Sequence, residues 1–238
     1  VSLKLLNHFG IKKPMISYFE HNKFERGPVI AEKLLSGENG VIVTDAGMPA
    51  ISDPGEDLVR LCIEKGIRVE AVPGPCAFAT ALAVSGMPSR RFTFEGFLPV
   101  EKNERKYIIK SLVAEERTMI FYEAPHKLSD ALRDLAAALG DREIAIVREL
   151  TKIHEEVIKT TLCAAAEKYS SEQLKGEIVL IIEGAPRKEE EEMSFDQAVA
   201  YANELIEKGE PKTSAAKIAA KESGFKKGDI YKALTEED

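Results

Sequence analysis

The sequence predicts an α/β protein in which a mostly parallel sheet carries helices on both faces, followed by a small helical segment. Strand-length apolar runs alternate with helical patterns up to residue 184, and glycine or proline separates most of them. Beyond the glutamate run 189–192, only helical patterns remain. A chain of 238 residues can hold one large or two small domains. We expect an N-terminal α/β domain (1–89), a C-terminal α/β domain (90–185), an acidic linker (186–192) and a helical segment (193–238).

The first half shows repeated strand–helix alternation. Helices are predicted over 29–35, 53–66 and 77–84, and strands over 40–43 and 67–72. Asp53 is expected to cap the second helix, with Pro54 at its first position and Glu56 completing a pair that resembles a capping box. This βαβ order favours parallel pairing of the two strands.

The second half continues the pattern from Arg90 onward. Strands are predicted over 92–97, 118–122, 143–147, 155–161 and 177–182, and helices over 104–113 and 127–139, with a short helix between the last two strands. After the linker, helices over 195–207, 214–222 and 229–234 have the spacing of a helix-turn-helix. Such helix pairs are packing modules more often than nucleic-acid readers.

The composition is that of a globular protein and excludes several function classes. The three cysteines are odd in number and far apart, which favours a reducing cytoplasm over a disulfide framework. The four histidines lack the spacing of metal ligands, so no metal is expected. No apolar run is long enough to span a membrane. The net charge of −7 disfavours nucleic acid unless basic patches supply local contacts, as 90–91, 102–110 and 212–232 could.

The loop 44–55, TDAGMPAISDPG, is the most informative segment. It follows the apolar run 41–43 and opens a helix, and ligands bind at this position in open α/β sheets. It lacks both GxGxxG and GxxxxGK[ST], and its aspartates would repel phosphate. We therefore expect a ligand with polar edges and little negative charge.

Three further polar segments end predicted strands and could share one crevice with this loop. The segment 73–75 reads Pro-Gly-Pro, and a simple turn explains it equally well. In 122–127, Glu123 and His126 form a possible acid/base pair, or else the start of a helix. In 148–156, charged residues such as Glu149 and Lys152 are either functional or only solvated.

Six segments occur in order along the chain: TDAGMPAISDPG, VPGPCAFATALAVSGMP, FEGFLP, FYEAPHK, RELTK and KGEIVLIIEG. Together they resemble the small-subunit ribosomal RNA methyltransferase I group of the tetrapyrrole methylase superfamily, over nearly the whole chain. The resemblance implies two α/β domains of the tetrapyrrole methylase type, with S-adenosylmethionine bound in the cleft between them. It also implies a homodimer that methylates the ribose 2′-hydroxyl of a decoding-centre cytidine in 16S ribosomal RNA.

The resemblance also suggests where each function lies. Cofactor contacts are expected from Asp45, Ala46, Gly47, Met48, Ile51, Ser52, Cys76, Ala77, Leu150 and Ile178. RNA phosphates are expected at Arg91, Lys102, Arg105 and Arg148. A ribose hydroxyl is a poor nucleophile that needs a base, and the candidates, in no order, are Glu123, His126, Glu149 and Lys152. Lys152 would need a lowered pKa to act as a base, so an electrostatic role suits it better.

The chain departs from the family at its start. Family members begin with a strand, an ATPIGNL-like loop and an EDTR-like segment, and Val1 stands roughly where these have already passed. The sequence thus indicates either a fragment or a protein that has lost one wall of the cofactor site. Two rival functions stay open: C-methylation of a corrin or porphyrin precursor, and non-catalytic nucleic-acid binding through the helical tail.

Overall fold

The computed structural model describes residues 2–186 and 193–236, so most of the predicted acidic linker lies outside the described residues. The chain divides into two compact units, Val1–Ala185 and Pro186–Asp238. In its described part, the first unit carries strands β1 (Phe92–Phe97), β2 (Thr118–Glu123), β3 (Glu143–Arg148), β4 (Glu156–Thr161) and β5 (Ile178–Ile182). Its helices are α1 (Ser2–His8), α2 (Lys23–Leu35), α3 (Glu56–Glu64), α4 (Ala77–Ser85), α5 (Lys102–Ser111), α6 (Leu128–Leu139) and α7 (Leu162–Ser171).

The five strands form one sheet in the order β1-β2-β5-β3-β4. Only β1 and β2 pair in parallel; β5 runs antiparallel to both β2 and β3, and β3 runs antiparallel to β4. The mixed α/β class is confirmed, but the prediction of a mostly parallel sheet is wrong. Residues 149–155 alone link β3 to β4, and a parallel crossover needs a dozen residues or more.

Helices cover both faces of the sheet because the side chains of each strand alternate. On β2, Met119 and Phe121 enter the core formed with α5, α6 and α7. Ile120 enters a second core with Ala81 and Leu82 of α4. The sequence expectation of helices on both faces is therefore confirmed. We call these two sides the three-helix face and the α4 face.

The strands predicted over 40–43 and 67–72 do not form. Neither stretch pairs with another strand within the described residues, and Val41 and Val72 are 86% and 84% exposed. A β-branched run becomes a strand only where a neighbour supplies hydrogen bonds, and no described segment does so here. The two-domain division 1–89 and 90–185 stays a prediction.

The start of α3 also differs from expectation. The helix begins at Glu56, and Gly55, with φ 141°, precedes it without a side-chain cap. The Asp53 carboxylate does not cap the helix, because Asp53 lies two residues before the N-cap position, and it accepts a hydrogen bond from the Thr44 hydroxyl at 3.0 Å. Asp53 therefore closes the loop 44–55.

The second unit consists, in its described part, of helices α8 (Phe195–Glu207), α9 (Lys212–Ser223) and α10 (Lys227–Glu236). A capping box between Ser194 and Gln197 starts α8. Small side chains let the helices approach closely, since Ala198, Ala202, Ala215, Ala216 and Ala219 are all fully buried. A turn of residues 224–226, which begins at left-handed Gly224, joins α9 to α10.

Candidate functional site

The loop 44–55 is held in a defined shape by its own contacts. Besides the Thr44–Asp53 hydrogen bond, the Ser2 hydroxyl donates to the Asp45 carboxylate at 3.0 Å. Ala50 and Ser52 adopt left-handed φ values of 65° and 55°, which cost energy in residues other than glycine. Strain of this kind persists only where surrounding contacts impose it, and it concentrates at functional sites.

Two other segments meet this loop. A Cβ placed on Gly47, whose φ is 75°, would lie 3.7 Å from the carbonyl oxygen of Pro75, so the segment 73–75 runs close beside the loop. A Cβ on Gly96 would lie 3.5 Å from the Ser52 hydroxyl oxygen. Gly96 sits at an irregularity in β1, where the register to β2 shifts. The structure thus brings the loop, the Pro-Gly-Pro segment and the end of β1 together.

An aromatic cluster formed by Phe78, Phe94, Phe97 and Tyr122 lies between α4 and the strands β1 and β2. The rings of Phe78 and Phe94 stack at 4.5 Å between centroids, and Tyr122 meets Phe94 and Phe97 edge-on at 4.9 and 5.5 Å. The Tyr122 hydroxyl accepts a hydrogen bond of 3.1 Å from the backbone N–H of Phe78, in the first turn of α4. These residues were not predicted from the sequence as part of a site. The motifs FEGF and FYE show that aromatic residues are present, but not that they lie close together in the fold.

Burial raises the pKa of the Tyr122 phenol, and the nearby Cys76 and Asp53 add to the rise. The phenol therefore stays protonated at neutral pH and holds the start of α4 as a neutral acceptor. The segment 73–75, which runs beside Gly47, leads into α4, so the loop 44–55 lies near the start of that helix.

The residues predicted to contact the cofactor differ in exposure, and one of them, Ile178, lies apart from the others. Asp45, Ala46, Gly47, Ile51, Ser52 and Ala77 are exposed, and Met48 and Cys76 are half-buried. Leu150 is half-buried and packs on the α4-face core. Ile178 is 3% exposed and belongs to the core of the three-helix face, so its side chain points away from this group. The cofactor contact expected of Ile178 stays a prediction, and its backbone is the part that could supply it.

Glu123 lies at the end of β2 and is 3% exposed. Glu123 follows Phe121 by two residues on β2, so its side chain lies on the same three-helix face, opposite Tyr122. It accepts a hydrogen bond of 2.8 Å from the Ala124 N–H. Burial raises the pKa of the Glu123 carboxyl, although Ala124 and the cations Lys127 and Arg105 act in the opposite direction. His126 is exposed in the turn that follows.

Glu149 and Lys152 form one compact turn after β3. The Glu149 carboxylate accepts hydrogen bonds of 2.8 Å from both the Lys152 ammonium and the Glu177 N–H. Glu149 and Thr151 have left-handed φ values of 52° and 65°. Gly176, at φ 97°, lies so close to Glu149 that any Cβ there would collide with the carboxylate.

The ionisation of this pair follows from its contacts. The Lys152 hydrogen bond lowers the pKa of Glu149, and the carboxylates of Glu149 and Glu177 raise the pKa of Lys152. The ammonium also lies 3.2 Å from the Glu177 carboxylate. A lysine base needs the opposite shift, so these contacts favour the electrostatic role for Lys152, which stays a prediction.

The residues predicted to contact RNA also differ in their exposure and in their partners. Arg91 and Lys102 are exposed. Arg105 is 9% exposed, forms two contacts of 2.8 Å with the Asp134 carboxylate, and donates to the carbonyls of Pro99 and Val100. These partners already engage the guanidinium, which favours a structural role for Arg105 over the RNA contact that the resemblance suggests. Arg148 is engaged by Glu156 at 2.8 Å and by the Lys175 carbonyl.

A separate cleft of about 280 Å³ lies between α2 and α3. It is lined by Tyr18, Lys23, Phe24, Gly27, Pro28, Asp57, Arg60, Leu61 and Glu64. Lys23 bridges the carboxylates of Glu20 and Asp57 at 2.6 and 2.8 Å. None of the predicted site residues lines this cleft.

Within residues 2–186 and 193–236, no helix combines the length and the apolar character needed to cross a membrane. No group of three histidine, cysteine, aspartate or glutamate side chains lies close enough together there to hold a metal ion.

Comparison with known proteins finds a matching family model and similar proteins. The family model described as Tetrapyrrole (Corrin/Porphyrin) Methylases matches residues 5–166. A Haemophilus influenzae protein named ribosomal RNA small subunit methyltransferase I is 44% identical over 95% of this chain and 81% of its own. Its Escherichia coli O157:H7 namesake is 42% identical, over 98% and 82%.

Solved structures agree on the fold alone, because their sequence identities are low. Diphthine synthase superposes with a TM-score of 0.56 at 14% identity, covering 76% of this chain and 73% of its own. The methyltransferase CobJ gives a TM-score of 0.54 at 17% identity, covering 74% of each chain.

Proposed function

The chain belongs to the tetrapyrrole (corrin/porphyrin) methylase family, and we propose that it transfers a methyl group from S-adenosylmethionine to RNA of the small ribosomal subunit. The observation that carries this proposal is the identity of 42–44%, over nearly the full chain, to proteins named for that activity. The low-identity structural neighbours support the fold but not the substrate.

The residues around the loop 44–55 fit the methyl donor. S-adenosylmethionine carries a sulfonium and an amino-acid end but no phosphate, and the aspartates of this loop favour positive charge. Asp45, Ala46, Gly47 and Ser52 are exposed, and the close passage of the segment 73–75 leaves backbone groups of two segments side by side. Exposed Ala77 and half-buried Cys76 would continue this surface to the start of α4, where Tyr122 fixes the backbone.

We propose the ribose 2′-hydroxyl of a decoding-centre cytidine as the acceptor. The donor supplies an activated methyl group, so the new C–O bond forms as the C–S bond breaks, and the hydroxyl proton must leave. Alignment of the two reactants is the main task of the protein and can contribute about 7–11 kcal/mol when the geometry is close to attack.

Among the candidates, the turn 149–152 lies best for a contribution to this reaction. Leu150 packs with Phe78, Phe94 and Tyr122 against the α4-face core, so the turn lies on the α4 face, and the loop 44–55 runs beside the segment that leads into α4. The protonated Lys152 would offset negative charge on the oxygen or on a nearby phosphate, and Glu149 would hold it there. Glu123, on the other face, is expected to act on stability, and His126 remains the exposed candidate for a base.

The RNA would be held by the exposed cations Arg91 and Lys102, at the start of β1 and of α5. Arg148, held by Glu156, is a weaker candidate for this role. Assembly as a homodimer and action in the cytoplasm are part of the proposal.

The experiment is transfer of labelled methyl from S-adenosylmethionine to purified 30S subunits and to free 16S RNA, followed by digestion to nucleosides. The proposal expects label in 2′-O-methylcytidine. Label in a base would overturn the ribose assignment. Absence of RNA label together with label in a corrin or porphyrin precursor would favour C-methylation. Binding of RNA and of cofactor without any transfer would favour the non-catalytic reading.

A further inference from the structure

The charges of the second unit are segregated by helix. Helix α8 contains Asp196, Glu204 and Glu207 and neither lysine nor arginine. Residues 212–232, which cover α9, the turn and most of α10, contain six lysines against Glu222 and Asp229. A surface that serves only solubility normally mixes both signs. In a chain of net charge −7, this segment is a local basic exception.

Four lysines of this segment are available to a partner. Lys217, Lys221, Lys226 and Lys227 are all exposed, and none of these four forms an ion pair with a described residue. On α9, Lys217 and Lys221 are four residues apart and therefore share one side of the helix, while Ala215, Ala216 and Ala219 fill the core. Lys226 lies in the turn, and Lys227 begins α10.

The backbone between these lysines has the form that nucleic-acid binding proteins often use. Two helices joined by a three-residue turn that contains glycine make a helix-turn-helix, in which the start of the second helix faces the nucleic acid. Gly228 has open space where a Cβ would stand, so a partner can approach the backbone there. Tyr231, one turn after Lys227, is 39% exposed and offers a ring for stacking.

We infer that the surface formed by Lys217, Lys221, Lys226 and Lys227, which we call the tail surface, binds the phosphate backbone of the substrate RNA. The inference rests on the proposed function for the identity of the RNA. Charge complementarity carries it: phosphate contacts supply most of the affinity of proteins for nucleic acid, and four exposed ammonium groups with no ion-pair partner among the described residues meet that requirement. The tail surface therefore adds RNA affinity outside the residues assigned to methyl transfer.

The test uses the full chain with Lys217, Lys221, Lys226 and Lys227 all changed to Gln. A matched control changes Lys4, Lys12, Lys13 and Lys65 to Gln, which are equally exposed and alter the net charge by the same amount. Fluorescence anisotropy with labelled 16S RNA, at several salt concentrations, gives the affinity and its salt dependence. If each lysine meets one phosphate, the slope of log K against log salt should fall in magnitude by about 3 in the tail variant, with an affinity loss of about tenfold or more at low salt.

Four outcomes are informative. The inference expects a raised KM for RNA with kcat unchanged in the tail variant, and nearly unchanged values in the control. Equal affinities and slopes for tail variant and control would overturn it, even if the wild-type protein methylates RNA. Poly-glutamate that competes with RNA as strongly as poly-uridylate would also overturn it, in favour of an acidic protein partner. Wild-type protein that binds 16S RNA but never labels it would contradict the proposed function and not the tail surface.

Discussion

At the scale of single residues, Arg105 shows how burial changes the meaning of a basic side chain. Its guanidinium and the Asp134 carboxylate are 11% and 9% exposed and meet at 2.8 Å. Removing one partner of a buried pair leaves the other charge without compensation. We therefore expect Arg105→Ala to lower the free energy of unfolding by about 3–5 kcal/mol, as measured by urea denaturation.

Arg60→Ala is the control, because its pair with Glu56 is 59% and 77% exposed. An exposed pair contributes about 0–1 kcal/mol, so this variant should unfold at nearly the wild-type urea concentration. If Arg105→Ala were as stable as wild type but bound RNA weakly, the buried pair would not be structural and the RNA role of Arg105 would return.

Glu123 supplies a pH-dependent prediction. Because burial raises its pKa in the folded protein, the folded state holds the proton more tightly than the unfolded chain does. Its contribution to stability is complete below the ordinary glutamate pKa of about 4.3 and is lost as the pH rises through the folded value. Glu123→Gln cannot ionise, so its stability should match wild type at pH 4 and exceed it at pH 7 in thermal melts.

The exposed Glu64→Gln controls for the loss of one charge. A Glu123→Gln variant that was less stable than wild type at pH 7 would contradict the burial argument. The same variant should retain methyl transfer, since Glu123 lies on the three-helix face. A 10²–10⁴-fold loss of kcat would restore it as a general base.

At the scale of elements, Gly184 limits the end of β5. It is buried, and a Cβ there would collide with the backbone of Glu116 and Arg117. Gly184→Ala should therefore destabilise the first unit by about 1–3 kcal/mol, as overpacking usually does. Gly27→Ala is the control, because its Cβ would make an ordinary contact of 3.5 Å with Leu61. That change should be neutral or slightly stabilising in chemical denaturation, and equal effects of the two variants would refute the packing argument.

Local patterns predicted most individual elements of the second half. The strand 92–97 forms over the predicted residues, and strands 118–122 and 143–147 are each one residue longer in the structure. Strands 118–122 and 143–147 carry buried apolar residues and have a partner strand on each side, and the edge strand 92–97 pairs with one neighbour, so local preference and tertiary packing agree. The runs 40–43 and 67–72 have the same composition but no described pairing partner, and a local pattern cannot report that a partner is missing.

At the scale of the whole molecule, the strand order could not be predicted from the sequence. The insertion of β5 between β2 and β3 pairs residues near 180 with residues near 120 and near 145, and no local signal encodes that choice. The site was predicted only in part, because its assembly also depends on contacts between residues that are distant in the sequence. The loop 44–55 was evident from its composition, whereas its contact with Gly96 and the aromatic cluster depends on the assembled sheet.

The two units also differ in what they are expected to contribute. The sheet and the loop 44–55 belong to the unit Val1–Ala185, and the tail surface belongs to Pro186–Asp238. Changes to the loop should therefore alter cofactor affinity without changing the salt dependence of RNA binding, and changes to the tail surface should do the reverse. This separation makes the two proposals independently testable.

We propose that the loop 44–55 and the segment 73–78 hold the methyl donor. Hydrogen–deuterium exchange of the full chain, with and without S-adenosylhomocysteine, tests it most directly because backbone contacts slow exchange. We expect slower exchange in peptides that cover 44–55 and 73–78, and unchanged exchange in β4 and α7. Protection confined to the cleft between α2 and α3, with none in the loop, would contradict the account.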